Sequence, residues 1–246
     1  MTSSPCGVLW FLHIGKTGGS SIASLLQRVA RPPSNWTLIG LCSEPVFTNP
    51  NMSEWMKSTR WRTALSIVHP RLIVTQHICS PGLGASLLPQ LHWLNLTLQS
   101  RGCRLWLTTV MREPAALMES LIFWLRTERQ MVREFVRRRS DYQVKWLMFG
   151  PTSRWPTPFD LNTSSPLLMR RATHVLSAMD LLGRTERLPA FAMSLTSLLG
   201  VQPQRLLHFK PHNHHPFELD QEDWSWIRSH VVGDEKLYNT SVARTA

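Results

Sequence analysis

The sequence lacks any long hydrophobic run, which excludes a class of protein at the outset. A membrane-spanning helix needs about 20 predominantly apolar residues, and no segment of the chain approaches that length. The apolar run nearest the start, residues 8–12, has the length of a strand. It leads directly into a glycine-containing loop, so it is not a signal peptide either. We therefore expect no membrane anchor in this chain.

Closely spaced cysteines are also lacking. The chain has four widely separated cysteines and no CxxC pair, so a zinc site is not expected. Disulfide pairing among Cys6, Cys42, Cys79 and Cys103 stays open at this point.

Acidic residues are in short supply: 16 Asp and Glu stand against 27 Lys and Arg, which gives a formal charge of +11. Such an excess favours polyanionic partners, namely nucleotides, nucleic acids, acidic glycans or an anionic membrane surface, and does not choose among them. With 246 residues and 43% hydrophobic content, the chain is typical of one globular domain spanning residues 1–246.

Asn-x-Ser/Thr sequons, by contrast, are abundant. Five occur, at Asn35, Asn51, Asn95, Asn162 and Asn239. This is more than the Asn, Ser and Thr content would give by chance, and it indicates passage through the secretory lumen. The alternative, that sequons simply occur in a chain rich in Ser and Thr, stays open.

The hydrophobic pattern predicts an α/β fold in which strands alternate with helices. Predicted strands cover residues 7–12, 72–75 and 104–110, with further strands at 173–182 and 205–209; residues 31–60 are mostly loop. Predicted helices cover residues 19–29, 114 to about 145, a segment capped by Thr185, and the end from residue 220. This alternation predicts one central, mostly parallel sheet flanked by helices. Ligands then bind beyond the carboxyl ends of the strands, where the glycine loop, Gln76-His77 and Met111-Arg112 fall.

The loop after the first strand is suited to holding an anion. Gly18 and Gly19 let the backbone approach phosphate oxygens, Lys16 adds a positive charge, and hydroxyls follow at Thr17, Ser20 and Ser21. It is not a Walker A loop, because Trp10 occupies the position of the opening glycine, and a GxGxxG pattern is absent. A plain glycine turn with a solvated lysine remains the alternative.

The segment "FLHIGKTGGSSI" resembles the 5′-phosphosulfate loop, H-I-P-K-T-G-G-T-S, of sulfotransferases that use 3′-phosphoadenosine 5′-phosphosulfate (PAPS). The nearest group is the heparan-sulfate 2-O- and 6-O-sulfotransferases. "TTVMREPAALMESLIFW" resembles their R-D-P-x-x-R-x-x-S signature, "LLGRTER" their G-x-T-E element and "DEKLYNTSV" their D-x-x-L-Y element. The chain departs from these patterns at Gly15 for proline, Ser20 for threonine, Glu113 for aspartate and Leu117 for a second arginine.

The resemblance implies a P-loop-like sulfotransferase fold, PAPS as co-substrate, adenosine 3′,5′-bisphosphate as product and no metal. It implies that Lys16 stabilises the oxygen bridging sulfur and the 5′-phosphate. The predicted 5′-phosphate ligands are Lys16, Thr17, Gly18, Gly19, Ser20 and Ser21; the predicted 3′-phosphate ligands are Arg112 and Ser120.

The implied general base is His77, since histidine titrates near neutral pH and heparan-type members carry their catalytic histidine in this place. The implied acceptor is a glycan or polysaccharide, with acidic ones among the options, and nucleic acid is not an expected partner. The sequons and the resemblance favour the Golgi lumen, whereas a chain that truly lacks an anchor would be cytoplasmic.

Several alternatives stay open beside this hypothesis. His13 is a second histidine near the loop, with a role in orienting it. His212, His214 and His215 form a cluster with a metal-binding alternative. A stripe at Arg126, Arg129, Arg133 and Arg137 is either a solvated helix face or a track for an acidic polysaccharide. For the whole chain, the alternatives are a heparin- or nucleic-acid-binding module, a catalytically inactive family member and, less favoured, a P-loop kinase.

Overall fold

The computed structural model describes residues 6–41, 70–76, 87–149, 166–207 and 217–245. In these residues, five strands form one parallel sheet. The strands are β1 (Gly7–Leu12), β2 (Thr37–Leu41), β3 (Arg71–Gln76), β4 (Arg104–Met111) and β5 (Leu181–Arg184). Their order across the sheet is β2-β3-β1-β4-β5, which puts β1 at the centre.

Helices connect and cover the strands. They are α1 (Gly19–Val29), α2 (Leu88–Gln99), α3 (Pro114–Trp124), α4 (Val132–Arg138), α5 (Tyr142–Phe149), α6 (Pro166–Ser177), α7 (Leu188–Leu198), α8 (Gln221–His230) and α9 (Val232–Thr245). Short 3-10 helices lie at Arg129–Met131 and Thr185–Arg187.

The central strand is buried on both faces, which explains why its sequence is a continuous apolar run. Val8, Trp10 and Leu12 pack on one face with residues of α2, α5 and α6, whereas Leu9 and Phe11 pack on the other with residues of α1 and α7. A third apolar cluster joins α3, α4 and α8. The predicted α/β class, with a parallel sheet flanked by helices, is confirmed.

The predicted long helix from residue 114 to about 145 is wrong. That segment forms α3, a 3-10 turn, α4 and the start of α5. Two residues between these helices adopt left-handed backbone conformations, Arg126 at φ 53° and Asp141 at φ 48°, which an uninterrupted right-handed helix does not allow.

Other boundaries also differ from the sequence prediction. β2 lies in a stretch predicted as mostly loop, and α6 with its following turn occupies most of the predicted strand at 173–182. Arg187, not Thr185, precedes α7. Residues 205–207 form no strand, and 208–209 lie outside the described residues. β1, α1, β3, β4 and the helical carboxyl-terminal region follow the prediction.

A disulfide joins Cys6 to Cys103 at the amino edge of the sheet, the edge where the parallel strands begin. The two residues directly precede β1 and β4, which are paired neighbours in the sheet. Cys42 and Cys79 lie outside the described residues. In the part of the chain that the structure describes, no helix combines the length and apolarity needed to cross a membrane.

Candidate active site

The β1–α1 loop, residues 13–18, leaves the carboxyl edge of the sheet in an unusual backbone conformation. Lys16 (φ 64°) and Gly18 (φ 81°) are both left-handed. For lysine this conformation is uncommon and costs free energy, and such residues concentrate at functional sites. The Thr17 hydroxyl donates to the Ile14 carbonyl at 2.9 Å, and Thr17 is fully buried. The Thr17 side chain therefore shapes the turn.

Gly19 packs directly against the side chain of His13. A Cβ at Gly19 would lie 1.8 Å from Cδ2 of His13, so only glycine fits here. The His13 ring is buried and stacks on Phe11, with ring centroids 6.1 Å apart. His13 therefore packs beneath the start of α1, in keeping with the orienting role.

The amino terminus of α1 opens next to Lys16. Gly18 caps the helix, and its carbonyl accepts from the N–H groups of Ser21 (3.1 Å) and Ile22 (3.4 Å). The N–H groups of the preceding residues belong to the end of the helix that has no intrahelical acceptor, and the first turn carries no acidic side chain. Ser20 is exposed and Ser21 is buried. The helix dipole makes this end of the helix electropositive.

Arg112 reaches the same place from β4. Its Nη1 donates to the carbonyl oxygen of Lys16 at 3.2 Å. Burial, with the Arg112 charge as a second cause, lowers the pKa of Lys16 below its ordinary value. Burial likewise lowers the pKa of Arg112, against the opposing effect of nearby carboxylates. Two partly desolvated cations thus meet at the carboxyl edge, where an anion would relieve their repulsion.

Trp124, at the end of α3, is a site residue that the sequence analysis did not single out. Lys16 Nζ lies 5.3 Å from the centroid of its indole ring. The Trp124 residue is 49% exposed, so the ring offers an open apolar surface beside the ammonium.

Helix α3 begins immediately after Arg112. The Glu113 carboxylate caps it by accepting from the N–H groups of Ala115 (3.1 Å) and Ala116 (2.6 Å), a task that aspartate would also perform. Ser120 is half-buried on this helix. Leu117 is buried in the core, so the position at which the resembled R-D-P-x-x-R-x-x-S signature has its second arginine faces inward in this chain.

Thr185 and Glu186 connect the β1–α1 loop, the end of β4 and helix α9 through hydrogen bonds. The sequence analysis did not predict these contacts. The Thr185 hydroxyl donates to the carbonyl of Thr17 (2.7 Å) and also lies 3.2 Å from that of Met111. Glu186 accepts from the Glu113 N–H at 3.0 Å and from the Tyr238 hydroxyl at 2.9 Å. The G-x-T-E and D-x-x-L-Y elements thus meet behind the loop.

Two departures from known loop patterns have packing causes. A Cβ at Gly15 would lie 2.9 Å from the Tyr142 hydroxyl, which occupies the space that a larger residue would need. The Trp10 indole N–H donates to Oε1 of the buried Gln76 at 2.7 Å. The Gln76 side chain therefore binds Trp10 within the core.

The histidine predictions cannot be placed in the same way, because His77, His212, His214 and His215 lie outside the described residues. Ranges 6–41, 70–76, 87–149, 166–207 and 217–245 contain no group of three or more His, Cys, Asp or Glu residues that could hold a metal ion.

The arginine stripe is not one helical face. Arg129 pairs with Asp220 and Asp223, Arg133 with Glu222, and Arg137 with Glu134. Arg126 lies after α3, outside any helix. Three of these four arginines therefore pair with carboxylates of the protein itself, at the start of α8, on α8 or on α4. The structure does not support a track for an acidic polysaccharide along this stripe.

Comparisons with known proteins assign no family. No protein-family model matches the chain, and no curated protein matches it. Among solved structures, the chain is similar to mouse sulfotransferase SULT7A1 complexed with PAP, at 14% identity and a TM-score of 0.39. The match covers 94% of this chain and 65% of that chain, so this chain spans less than two thirds of the other's length.

Proposed function

We propose that this chain is a PAPS-dependent sulfotransferase acting on a hydroxyl group of a carbohydrate. One observation carries the proposal: the Arg112 guanidinium donates to the carbonyl of Lys16, so that two cations from the segments following β1 and β4 converge near the amino terminus of α1. A nucleotide with phosphates at both the 5′ and 3′ positions needs two such anion-binding groups. A simple polyanion-binding surface has no need to bury them.

The residue types at the carboxyl edge of the sheet support PAPS as the co-substrate. The carboxyl edge supplies a left-handed loop, a free helix end and a serine hydroxyl at Ser20 for a 5′-phosphate. Arg112 supplies a planar donor set for a 3′-phosphate, with Ser120 six residues into α3 as its proposed partner.

In the proposed reaction, a bond forms between sulfur and the acceptor oxygen as the bond from sulfur to the bridging oxygen breaks. Lys16 neutralises the charge that develops on the leaving oxygen, and adenosine 3′,5′-bisphosphate departs. His77 takes the acceptor proton; in sequence it directly follows Gln76, the last residue of β3. Two protein cations meet the phosphates, so we propose no metal.

Trp124 supports a carbohydrate acceptor. Sugar rings present apolar C–H faces, and a half-exposed indole next to the transferring group is a surface on which such a face can stack. We expect Trp124→Ala to raise the acceptor KM and to leave the affinity for adenosine 3′,5′-bisphosphate nearly unchanged.

The compartment we propose is the oxidising secretory lumen, with the Golgi as the family's usual place. The Cys6–Cys103 disulfide supports it, because such bonds persist in oxidising compartments. Two of the sequon asparagines, Asn35 and Asn239, are exposed.

The test is transfer of labelled sulfate from PAPS across a panel of glycosaminoglycans, simple sugars and small alcohols. We expect transfer to a carbohydrate, its loss in His77→Ala, and a rise in melting temperature with adenosine 3′,5′-bisphosphate. Lys236→Ala, on the exposed side of α9, is the matched control and should behave as the wild type.

Three outcomes would count against parts of this proposal. Absence of binding by both PAPS and its product would overturn the enzyme assignment. Full activity in the His77→Ala variant would overturn the choice of base alone, and product binding without transfer would indicate an inactive member.

A further inference from the structure

Arg112 lies at a place where the sheet no longer supports its backbone. The last register pairs of β4 are Thr109 with Leu12 of β1 and Met111 with Arg184 of β5. Arg112 is the next residue, so its N–H and C=O groups fall beyond both ladders. Backbone polar groups removed from water need partners, and a side chain has to supply them here.

Gln143, from α5, supplies both partners. Its Oε1 accepts from the Arg112 N–H at 3.0 Å, and its Nε2 donates to the Arg112 carbonyl at 2.9 Å. Gln143 is fully buried. A primary amide combines an acceptor and a donor at this spacing, so it continues the pairing of β4 by one residue. Arg112 is therefore held through its backbone by Gln143 and through its guanidinium by the Lys16 carbonyl.

Gln143 is itself fixed by a reciprocal pair of helix caps. The Asp234 carboxylate, on α9, accepts from the N–H groups of Gln143 (2.9 Å) and Val144 (2.8 Å). In return, the Asp141 carboxylate accepts from the N–H groups of Gly233 (2.8 Å) and Asp234 (3.0 Å). Two helix ends are thus locked face to face.

The reciprocal caps formed by Asp141 and Asp234 are closely packed and buried. Asp141 and Asp234 are both almost fully buried, and a Cβ at Gly233 would lie 2.8 Å from the Asp141 carboxylate. Burial, with the Asp141 charge as a second cause, raises the pKa of Asp234, and the charge of the buried Lys145 opposes that rise. Each cap satisfies backbone N–H groups that would otherwise be left unpaired inside the protein.

We propose that Gln143, held by Asp234, is a positioning residue that aims the Arg112 guanidinium at the 3′-phosphate of the nucleotide. The inference rests on the proposed function. Guanidinium–phosphate contacts depend strongly on direction, and a small rotation of the Arg112 backbone moves the far end of its long side chain out of line. Gln143 therefore sets the preference for a 3′,5′-bisphosphate over a 5′-monophosphate.

The experiment compares two nucleotides by titration calorimetry: adenosine 3′,5′-bisphosphate and adenosine 5′-monophosphate. Gln143→Met keeps the length of the side chain and removes both hydrogen bonds, whereas Gln143→Glu keeps the acceptor and removes the donor. Gln99→Leu, an exposed glutamine on α2, is the matched control. Arg112→Ala gives the preference that remains without the guanidinium.

We expect Gln143→Met to lower the affinity for the bisphosphate about 10-fold, the loss of roughly one well-aligned charged contact. The affinity for the monophosphate should change less than about twofold, because both ligands share the 5′ half of the site. Gln143→Glu should lie between Gln143→Met and the wild type, and Gln99→Leu should match the wild type. If Gln143 had a purely structural role, Gln143→Met would lower the affinities for both nucleotides together, or would lower only the melting temperature.

An unchanged preference in folded Gln143→Met, with Arg112→Ala losing it, would overturn the positioning role and leave the proposed function standing. If Gln143→Met does not fold, the preference of Gln143→Glu decides in the same way. A wild-type protein that binds neither nucleotide would overturn the proposed function and this inference with it.

Discussion

The two edges of the sheet are held by different means. At the amino edge, a covalent bond between Cys6 and Cys103 ties β1 to β4. At the carboxyl edge, the same two strands are joined through hydrogen bonds: Arg112 to the Lys16 carbonyl, and Thr185 to the carbonyls of Thr17 and Met111. The carboxyl edge also carries left-handed Lys16 and two partly desolvated cations.

The amino ends of β1 and β4 carry a stabilising cross-link, whereas their carboxyl ends carry the residues of the candidate site. Strain and partly desolvated positive charge cost folding free energy, and a chain can keep them only where other contacts over-determine the structure. A cross-link at the far end of β1 and β4 stabilises the fold without touching the ligand edge. We therefore expect changes at the amino edge to act on stability, and changes at the carboxyl edge to act on binding and transfer.

The largest expected effect is loss of the disulfide. The double variant Cys6→Ser, Cys103→Ser opens a loop with a sequence separation of 97 residues. In the chain-entropy description this lowers the free energy of unfolding by about 4–5 kcal/mol. Urea denaturation measures it.

The nucleotide affinity of the molecules that remain folded should match that of the wild type. A loss of affinity as large as the loss of stability would show that the two edges are not independent.

Next in size is the effect of Lys16 on transfer. Lys16→Gly removes the ammonium and should lower the transfer rate on the order of 10²–10³-fold. The same change relieves a left-handed non-glycine residue and should raise the free energy of unfolding by about 1 kcal/mol. Labelled-sulfate transfer and thermal unfolding measure the two effects.

Arg126→Gly is the matched control, since Arg126 is also left-handed and is exposed. It should gain similar stability and keep its activity. A Lys16→Gly variant that loses stability would contradict the view that this residue is strained for function.

Elements formed by one continuous segment of the chain were predictable from the sequence. The β1–α1 unit was predicted to the residue, because a buried apolar run, a glycine-containing turn and a helical apolar face follow each other directly. β2 was missed because Thr37–Leu41 lies in a proline- and sequon-rich stretch, and its pairing with β3 is formed across a long gap in the chain.

Contacts between distant side chains and backbone groups were not predictable in this way. Gln143 meets Arg112 across 31 residues, and Asp234 meets Gln143 across 91. Neither contact leaves a periodic pattern. The D-x-x-L-Y element was noticed by resemblance, yet its task of capping another helix depends on the left-handed turn at Asp141, which also broke the predicted long helix.

A smaller effect concerns pH. Burial lowers the pKa of Lys16, so its ammonium is lost at a lower pH than in the unfolded chain. Between the folded and unfolded pKa values of Lys16 the unfolded state binds more protons at this group, so the contribution of Lys16 to the free energy of unfolding rises with pH. Affinity for adenosine 3′,5′-bisphosphate should fall through the same alkaline window, because the Lys16 ammonium that we propose to bind the 5′-phosphate loses its charge.

Calorimetry and thermal unfolding from neutral to alkaline pH test these opposite trends. Lys16→Arg should shift the fall in affinity to higher pH. Parallel trends in stability and affinity would exclude Lys16 as the group that titrates.

The smallest expected effect is at Gly15, where the wild type has glycine and the resembled H-I-P-K-T-G-G-T-S loop has proline. Gly15→Ala brings a methyl group to 2.9 Å from the Tyr142 hydroxyl, and we expect it to lower the free energy of unfolding by about 1 kcal/mol. In a Tyr142→Phe background the oxygen is gone, so the same change should cost much less. The double-mutant cycle measures this coupling. Additive effects would mean that Tyr142 does not exclude a larger residue at position 15. The backbone conformation of the β1–α1 loop at the carboxyl edge would then be the cause of the glycine.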